Sequence, residues 1–124
     1  MESAAAKSKT YHDLFVWQKA HQFVLRVYSN TKAFPREEAF GLTSQLRRSA
    51  VSIVANVVEG YKRRGTKEKL RFLNISQASL EESRYFLELA RDLKYCDDPP
   101  ILVQIEEVSR LLNAYRRSIE KGIQ

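Results

Sequence analysis

Apolar residues recur along four stretches of the chain at the three- and four-residue spacing of an amphipathic α-helix, and no stretch keeps the alternation of a β-strand. The spacing predicts a first helix over residues 14–31, with Asp13 as its N-cap. Its core-facing stripe is Val16, Ala20, Phe23 and Val27. The pair Phe34-Pro35 ends this pattern, because proline disfavours helical geometry in the residue before it.

The second and third helices are predicted over residues 38–59 and 66–95. The second helix either ends at Glu59 or extends to Tyr61, with Gly60 or Gly65 ending it, and Thr66 caps the third. Asp97-Asp98 followed by Pro99-Pro100 then marks a helix stop and a new start, since proline is tolerated in a first helical turn. The fourth helix has the regular stripe Ile101, Ile105, Val108, Leu112, Tyr115 and Ile119.

Short connections between these helices make each one antiparallel to the helix before it. The sequence therefore predicts one all-α domain over residues 13–124, an antiparallel up-down-up-down four-helix bundle. Residues 1–12, rich in Ala, Ser and Lys at their start, are predicted to be a disordered lead.

The amino-acid composition indicates a globular protein and the cellular compartment in which we expect it. Of the 124 residues, 44% are hydrophobic and 29% are charged, which is the balance of a globular chain with one core. Cys96 is the single cysteine, and a thiol without an internal partner is typical of a reducing compartment. The chain shows neither a signal-peptide segment nor a run of membrane-spanning length. We therefore expect a cytoplasmic protein that does not contact a membrane.

The polar residues give no pattern of an active site. Carboxylate-bridged iron sites in helical bundles need paired Glu-x-x-His motifs, and neither His12 nor His21 has a Glu three residues before it. The chain also lacks a glycine-rich phosphate loop, and nothing in the sequence orients a histidine beside Cys96. The sequence thus predicts a protein that is not an enzyme and has no catalytic residues, metal or cofactor.

A polar seam interrupts the apolar surface of the second helix, and its members are spaced three and four residues apart: Ser49, Ser52, Asn56 and Glu59. Three interpretations stay open, namely hydrogen bonding across a helix crossing, a subunit interface whose register the seam fixes, and a catalytic site. The same helix is apolar on further sides, through Val51, Val54 and Val58, with Phe40 just before it. One small bundle covers only part of this surface, so we expect a homo-oligomer.

Positive charge concentrates where the second helix ends and the third begins, in a chain whose net charge is +6. Residues 61–71 contain a single carboxylate, Glu68, and six cations: Lys62, Arg63, Arg64, Lys67, Lys69 and Arg71. In the predicted topology Arg116, Arg117 and Lys121 of the fourth helix lie at the same end. We call this the basic end; the opposite end is neutral to slightly acidic.

Helix dipoles favour cations at helix C-termini and so account for most of this charge. They do not account for Lys67, Lys69 and Arg71, which fall in the first turns of the third helix. These residues favour a nucleic-acid partner, RNA or DNA, bound through its phosphates with little base readout. Tyr61 is the only aromatic residue of segment 61–71, so base stacking is not expected. The alternative is a structural or protein-interaction scaffold whose charge serves solubility.

An ordered series of short motifs resembles the small four-helix-bundle family whose founding members are encoded in intervening sequences of bacterial large-subunit ribosomal RNA genes. The matching residues are Asp13-Leu14, Val16-Trp17-Gln18-Lys19-Ala20, Val27-Tyr28, Thr31, Phe34-Pro35, Glu38, Phe40-Gly41-Leu42, Gln45-Leu46-Arg47-Arg48-Ser49-Ala50, Ser52-Ile53, Asn56, Glu59-Gly60, Phe72-Leu73, Ser79-Leu80 and Glu82. The chain departs from the family pattern at Val54-Ala55 and Val57-Val58, which flank Asn56.

The resemblance implies a bundle that assembles into a homopentamer. A related member, the accessory variability protein of diversity-generating retroelements, is a basic pentameric barrel that engages nucleic acid and a reverse transcriptase. A homopentamer that binds RNA or a ribonucleoprotein, with a reverse transcriptase as a further partner, is therefore the expectation that the resemblance adds. The family offers no catalytic residues to carry over.

Overall fold

The apolar stripes predicted for the first and fourth helices become the buried faces of those helices. The computed structural model describes residues 8–122, which fold into four α-helices without a β-strand: α1 (Phe15–Thr31), α2 (Leu42–Lys62), α3 (Thr66–Asp92) and α4 (Pro99–Glu120). The whole stripe of α4 is buried, as are the predicted stripe of α1 and the stripe Leu46, Ala50, Ile53 and Val57 of α2. The predicted apolar periodicity therefore identifies the core.

The four helices form an antiparallel bundle in which each helix packs on two neighbours. Contacts join α1 to α2 and α4, and α3 to α2 and α4, with the most extensive contact between α2 and α3. The C-terminus of α2, the N-terminus of α3 and the C-terminus of α4 consequently share one end. This arrangement confirms the predicted fold class and forms the basic end.

The chain before α1 is ordered from residue 8, so the prediction of a disordered lead is wrong for residues 8–12. Tyr11–Asp13 form a 3-10 turn capped by Thr10, and the Asp13 carboxylate accepts from the backbone N–H groups of Lys9 and Thr10. These two bonds lower the pKa of Asp13. Asp13 therefore caps its own turn and is not the N-cap of α1, a position that Leu14 occupies. Residues 1–7 of the predicted lead lie outside the described residues.

Two further helix boundaries differ from the prediction. α2 begins at Leu42, because residues 36–38 form a separate 3-10 turn and the Glu38 carboxylate accepts from the Leu42 N–H at 3.0 Å. α3 ends at Asp92, three residues before the predicted end at Tyr95. Lys94 adopts a left-handed conformation with φ 65°, and the Tyr95 N–H donates to the Ala90 carbonyl at 2.8 Å, which is a Schellman closure.

A charged joint closes the end of the bundle opposite the basic end. Asp98 is the N-cap residue of α4, yet its side chain bonds α1 and makes no cap to its own helix. Arg26 donates to it from Nε and Nη2 at 2.6 and 2.7 Å, and the Asn30 amide donates at 2.7 Å. These bonds stabilise the carboxylate and hold the pKa of Asp98 below its ordinary value.

Replacing Asp98 by Ala should destabilise the bundle by about 2 kcal/mol near pH 7, because three charge-assisted hydrogen bonds are lost. A depressed folded-state pKa gives stability that is complete above the unfolded pKa of about 3.9. That stability is lost as pH falls through the lower folded value. Urea unfolding at a series of pH values should therefore show that the difference in free energy of unfolding between wild type and Asp98→Ala disappears in acid. The control variant Asp97→Ala changes an exposed site and should have almost the same free energy of unfolding as wild type. A difference in free energy of unfolding that persists below the folded-state pKa would contradict the stabilising role of the Asp98 carboxylate.

Candidate functional site

The turn between α2 and α3 brings the predicted cations of the basic end together. Lys62 is the last residue of α2 and Arg63 is its C-cap. Gly65, and not Thr66 as predicted, is the N-cap of α3. Lys67, Lys69 and Arg71 follow in the first two turns of α3. All six predicted cations of this turn are exposed except Lys69, which is half-buried.

A close helix approach at Gly60 sets the geometry of this turn. Gly60 is buried inside α2, so it does not end the helix as predicted. A Cβ at this position would lie 3.2 Å from the Lys69 carbonyl oxygen and 3.4 Å from the Phe72 Cβ. The missing side chain therefore lets the first turns of α3 lie directly against the last turn of α2.

Lys69 serves the fold. Its ammonium donates to the Tyr61 carbonyl at 2.9 Å and to the Gly60 carbonyl at 3.3 Å, both in the last turn of α2, and the Gly60 carbonyl also accepts from the Arg63 N–H at 3.2 Å. Burial lowers the pKa of Lys69, and the two bonds offset part of that desolvation cost. The prediction that dipole matching leaves Lys69 unexplained is wrong, because Lys69 caps the dipole of the neighbouring helix rather than its own.

Two arginines share one aromatic ring beside this cap. The guanidinium carbons of Arg63 and Arg71 each lie 4.7 Å from the centre of the Phe72 ring. Each arginine also pairs with a carboxylate of its own helix, Arg63 with Glu59 at 2.9 Å and Arg71 with Glu68 at 3.5 Å. Phe72 lies just beyond the segment 61–71, and no charge pattern in the sequence assigns it to the basic end.

Tyr61, the one aromatic residue that the sequence did assign to this segment, is turned to the interior of the protein. It is half-buried, and its hydroxyl lies 3.4 Å from both the Ser8 hydroxyl and the Ser8 carbonyl. The Lys69 ammonium lies 5.7 Å from its ring centre. Tyr61 therefore supports the lead and the Lys69 cap, and it offers no platform for base stacking.

The α4 cations divide in the same way. Arg116 is half-buried and ties α4 to α3, donating to the Asn74 and Gln77 side chains and pairing with Glu120 at 3.3 Å. Arg117 is exposed. Lys62, Arg64, Lys67 and Arg117 have no ion-pair partner within residues 8–122. These four cations therefore make no ion pair that holds the described fold together.

The polar seam lies in the contact between α2 and α3. The Ser49 and Ser83 hydroxyls are 2.7 Å apart, and so are the Ser52 and Ser79 hydroxyls. Asn56 donates to the Ser52 carbonyl at 2.8 Å and to its hydroxyl at 3.0 Å. Ser49 and Ser52 thus bond across the helix crossing, which is the first of the interpretations left open, whereas Asn56 bonds within α2.

Glu59 does not belong to that row of bonds. Its carboxylate is half-exposed and pairs with Arg63, so it lies with the basic end. Beside the serine pairs, a surface groove of about 350 Å³ opens between α2 and α3. Gln45, Arg48, Glu82 and Phe86 line this groove together with the serines. No three His, Cys, Asp or Glu side chains of the described residues gather closely enough to hold a metal ion.

None of the helices within residues 8–122 has both the length and the hydropathy needed to cross a bilayer.

Fold and charge together define a small basic four-helix bundle that presents cations at the α2–α3 turn. A family described as 23S rRNA-intervening sequence protein matches residues 12–114, and the chain belongs to that family.

A solved structure shares this fold. It is the crystal structure of a protein of unknown function from the S23 ribosomal protein family of Bacteroides thetaiotaomicron. The two chains are 24% identical and align with a TM-score of 0.63 over 88% of this chain and 98% of the other. No curated protein matches the sequence. The resemblance to the intervening-sequence family is thereby confirmed, together with its fold.

One matched pair of variants distinguishes Lys69, which caps α2, from Lys67, which is an exposed charge in the same turns of α3. Lys69→Met keeps the apolar stem but loses both carbonyl bonds, so it should lower the free energy of unfolding by about 1 kcal/mol. Lys67→Met removes the same charge from an exposed side chain and should change stability by less than about 0.5 kcal/mol. Thermal and urea unfolding measure both, and equal effects would contradict the assignment of Lys69 as a cap.

Proposed function

We propose that the protein binds RNA, alone or within a ribonucleoprotein, through the basic end. The observation that carries this proposal is the cluster of exposed cations at the α2–α3 turn, Lys62, Arg64 and Lys67, which lack ion-pair partners among residues 8–122. Lys67 is the second residue of α3, where the helix dipole disfavours a cation, so helix stability does not explain it. The family description refers to 23S rRNA, which makes RNA the polyanion of choice.

Binding rests on phosphate contacts. Flexible lysine and arginine side chains at a convex turn neutralise backbone phosphates and release their counterions, with little base readout. Lys69 and Arg116 take no part, because their donors are engaged by the carbonyls of α2 and by Asn74, Gln77 and Glu120. Arg117, at the same end, adds a further exposed cation.

Neutralising the exposed cations tests this proposal. The triple variant Lys62→Gln, Arg64→Gln, Lys67→Gln should bind a labelled oligo(U) RNA about tenfold more weakly or worse. The plot of log K against log salt concentration should become less steep, its slope decreasing in magnitude by about 2, when three single-strand phosphate contacts are lost. The matched control is Lys32→Gln, Arg36→Gln, Arg110→Gln, which removes the same net charge from exposed sites away from this turn. Equal losses in both variants would indicate attraction by overall charge, and wild type that binds no RNA would reject the function.

The competing function, a structural or interaction scaffold, is favoured by exposed apolar side chains. Phe40 is 99% exposed, in the turn before α2. That turn is held in place, because Glu38 accepts from both the Leu42 N–H and the Tyr95 hydroxyl. A Cβ at Gly41 would lie 2.7 Å from the Glu38 carboxylate, so glycine permits this arrangement. A fully exposed aromatic side chain on a fixed turn is typical of an interface anchor.

We propose on this ground that Phe40 packs against another copy of the chain, in the homo-oligomer that the sequence predicts. The pentamer, the reverse-transcriptase partner, the cytoplasmic location and the absence of catalysis stay predictions. Self-association and RNA binding are compatible, since several basic ends on one particle raise the avidity for a long polyanion.

Light scattering tests the role of Phe40. Wild type should have a mass that is a multiple of the 14.4 kDa chain, five times that mass for a pentamer. Phe40→Ser should shift the population towards monomer, because each buried Phe side chain contributes about 1.5–3 kcal/mol to an interface. Its thermal stability as a monomer should be unchanged, since the side chain touches little of its own subunit. Val103→Ser, at a 68% exposed position of α4, is the matched control. A monomeric wild type would refute self-association.

A further inference from the structure

Five side chains at the α2–α3 turn alternate in chemistry as carboxylate, guanidinium, ring, guanidinium and carboxylate: Glu59, Arg63, Phe72, Arg71 and Glu68. The ring is half-buried, while the Arg63 and Arg71 side chains are 45% and 60% exposed. The two like charges therefore share one fixed support and both reach solvent. Their guanidinium carbons lie at most about 9 Å apart, because both are 4.7 Å from the same ring centre.

We propose that Arg63 and Arg71, held by Phe72, form a two-guanidinium clamp for backbone phosphates, which we call the Phe72 clamp. The inference rests on the proposed RNA binding and names the groups that give it geometry. A guanidinium binds a phosphate through two parallel N–H donors, and contact with a ring restricts the positions that those donors take. Lys62, Arg64 and Lys67 supply attraction around the turn, whereas the clamp supplies fixed contacts.

Fixed geometry matters because each free arginine loses rotamer freedom on binding. Phe72 reduces that loss by confining two guanidinium groups before the ligand arrives. The ring in turn is positioned by Gly60, whose missing side chain lets the Phe72 Cβ approach α2. The close packing of two helices is thereby connected to the presentation of two charges at the surface.

The carboxylates of Glu59 and Glu68 compete with phosphate for the same donors. Both are about half exposed, at 54% and 52%, and exposed ion pairs of this kind contribute little to stability. A phosphate of RNA can therefore replace them at small cost. The carboxylates keep the arginines paired in the absence of ligand and lower the affinity for weak anions, so removing them should tighten binding.

Fluorescence anisotropy with a labelled oligo(U) RNA tests the clamp through substitutions that conserve charge. Phe72→Leu should weaken binding about three- to tenfold with an unchanged salt slope, because two cation–π contacts are lost and no cation is. Phe72→Tyr keeps a ring and should bind as wild type. Arg63→Lys with Arg71→Lys should weaken binding about tenfold at the same net charge. Glu59→Gln with Glu68→Gln should tighten it several-fold.

The matched controls are Tyr85→Leu and Arg91→Lys, at exposed positions of α3 beyond its first turns, and both should leave affinity unchanged. Inorganic polyphosphate should compete with oligo(U), and failure to compete would contradict phosphate recognition. Wild type that binds RNA while Phe72→Leu and the double lysine variant bind equally well would overturn the clamp and leave the proposed function intact. Wild type that does not bind would overturn the proposed function itself. The double lysine variant keeps Phe72, so its effect on binding does not depend on any loss of folding in Phe72→Leu, which thermal unfolding measures.

Discussion

The close contact of α2 with α3 is the constraint on which the rest of the molecule depends. Small residues line it, with Gly60 at one end and Ser76, Ser79 and Ser83 along α3. The Ser76 hydroxyl is fully buried and donates to the Ile53 carbonyl of α2 at 2.7 Å. Short side chains let the two backbones approach, and their hydroxyls bond across the approach, so buried polar groups are satisfied where a larger apolar residue would separate the helices.

This contact also decides the electrostatics of the basic end. When α3 starts beside the last turn of α2, a lysine that is unfavourable for its own helix becomes a cap for the neighbouring one. Lys69 occupies that position, and Phe72, one turn further, receives Arg63 from α2 and Arg71 from α3. The same packing therefore engages Lys69 in a cap of α2 and presents Arg63 and Arg71 at the surface.

The two ends of the bundle use charge differently. At the end opposite the turn, Asp98 is held by Arg26 and Asn30 and joins α1 to α4. Its charges are satisfied within the chain, whereas those of Lys62, Arg64 and Lys67 have no ion-pair partner among residues 8–122. The contrast supports the proposed polyanion partner at the basic end and assigns the other end to stability, with the exposed Phe40 beside it.

The amino-acid pattern alone determined the four helices, their order and the buried stripes of α1 and α4, because a period of three to four residues is a local property that one core-facing stripe expresses. It also located the charge at one turn. It did not determine which polar residues meet, because Asp98 with Arg26, Ser49 with Ser83 and Lys69 with Tyr61 are pairs between different helices. Such pairs follow from helix rotation and separation, which only the tertiary packing sets. For the same reason, only the structure separated cations that hold the fold from cations that are available to a partner.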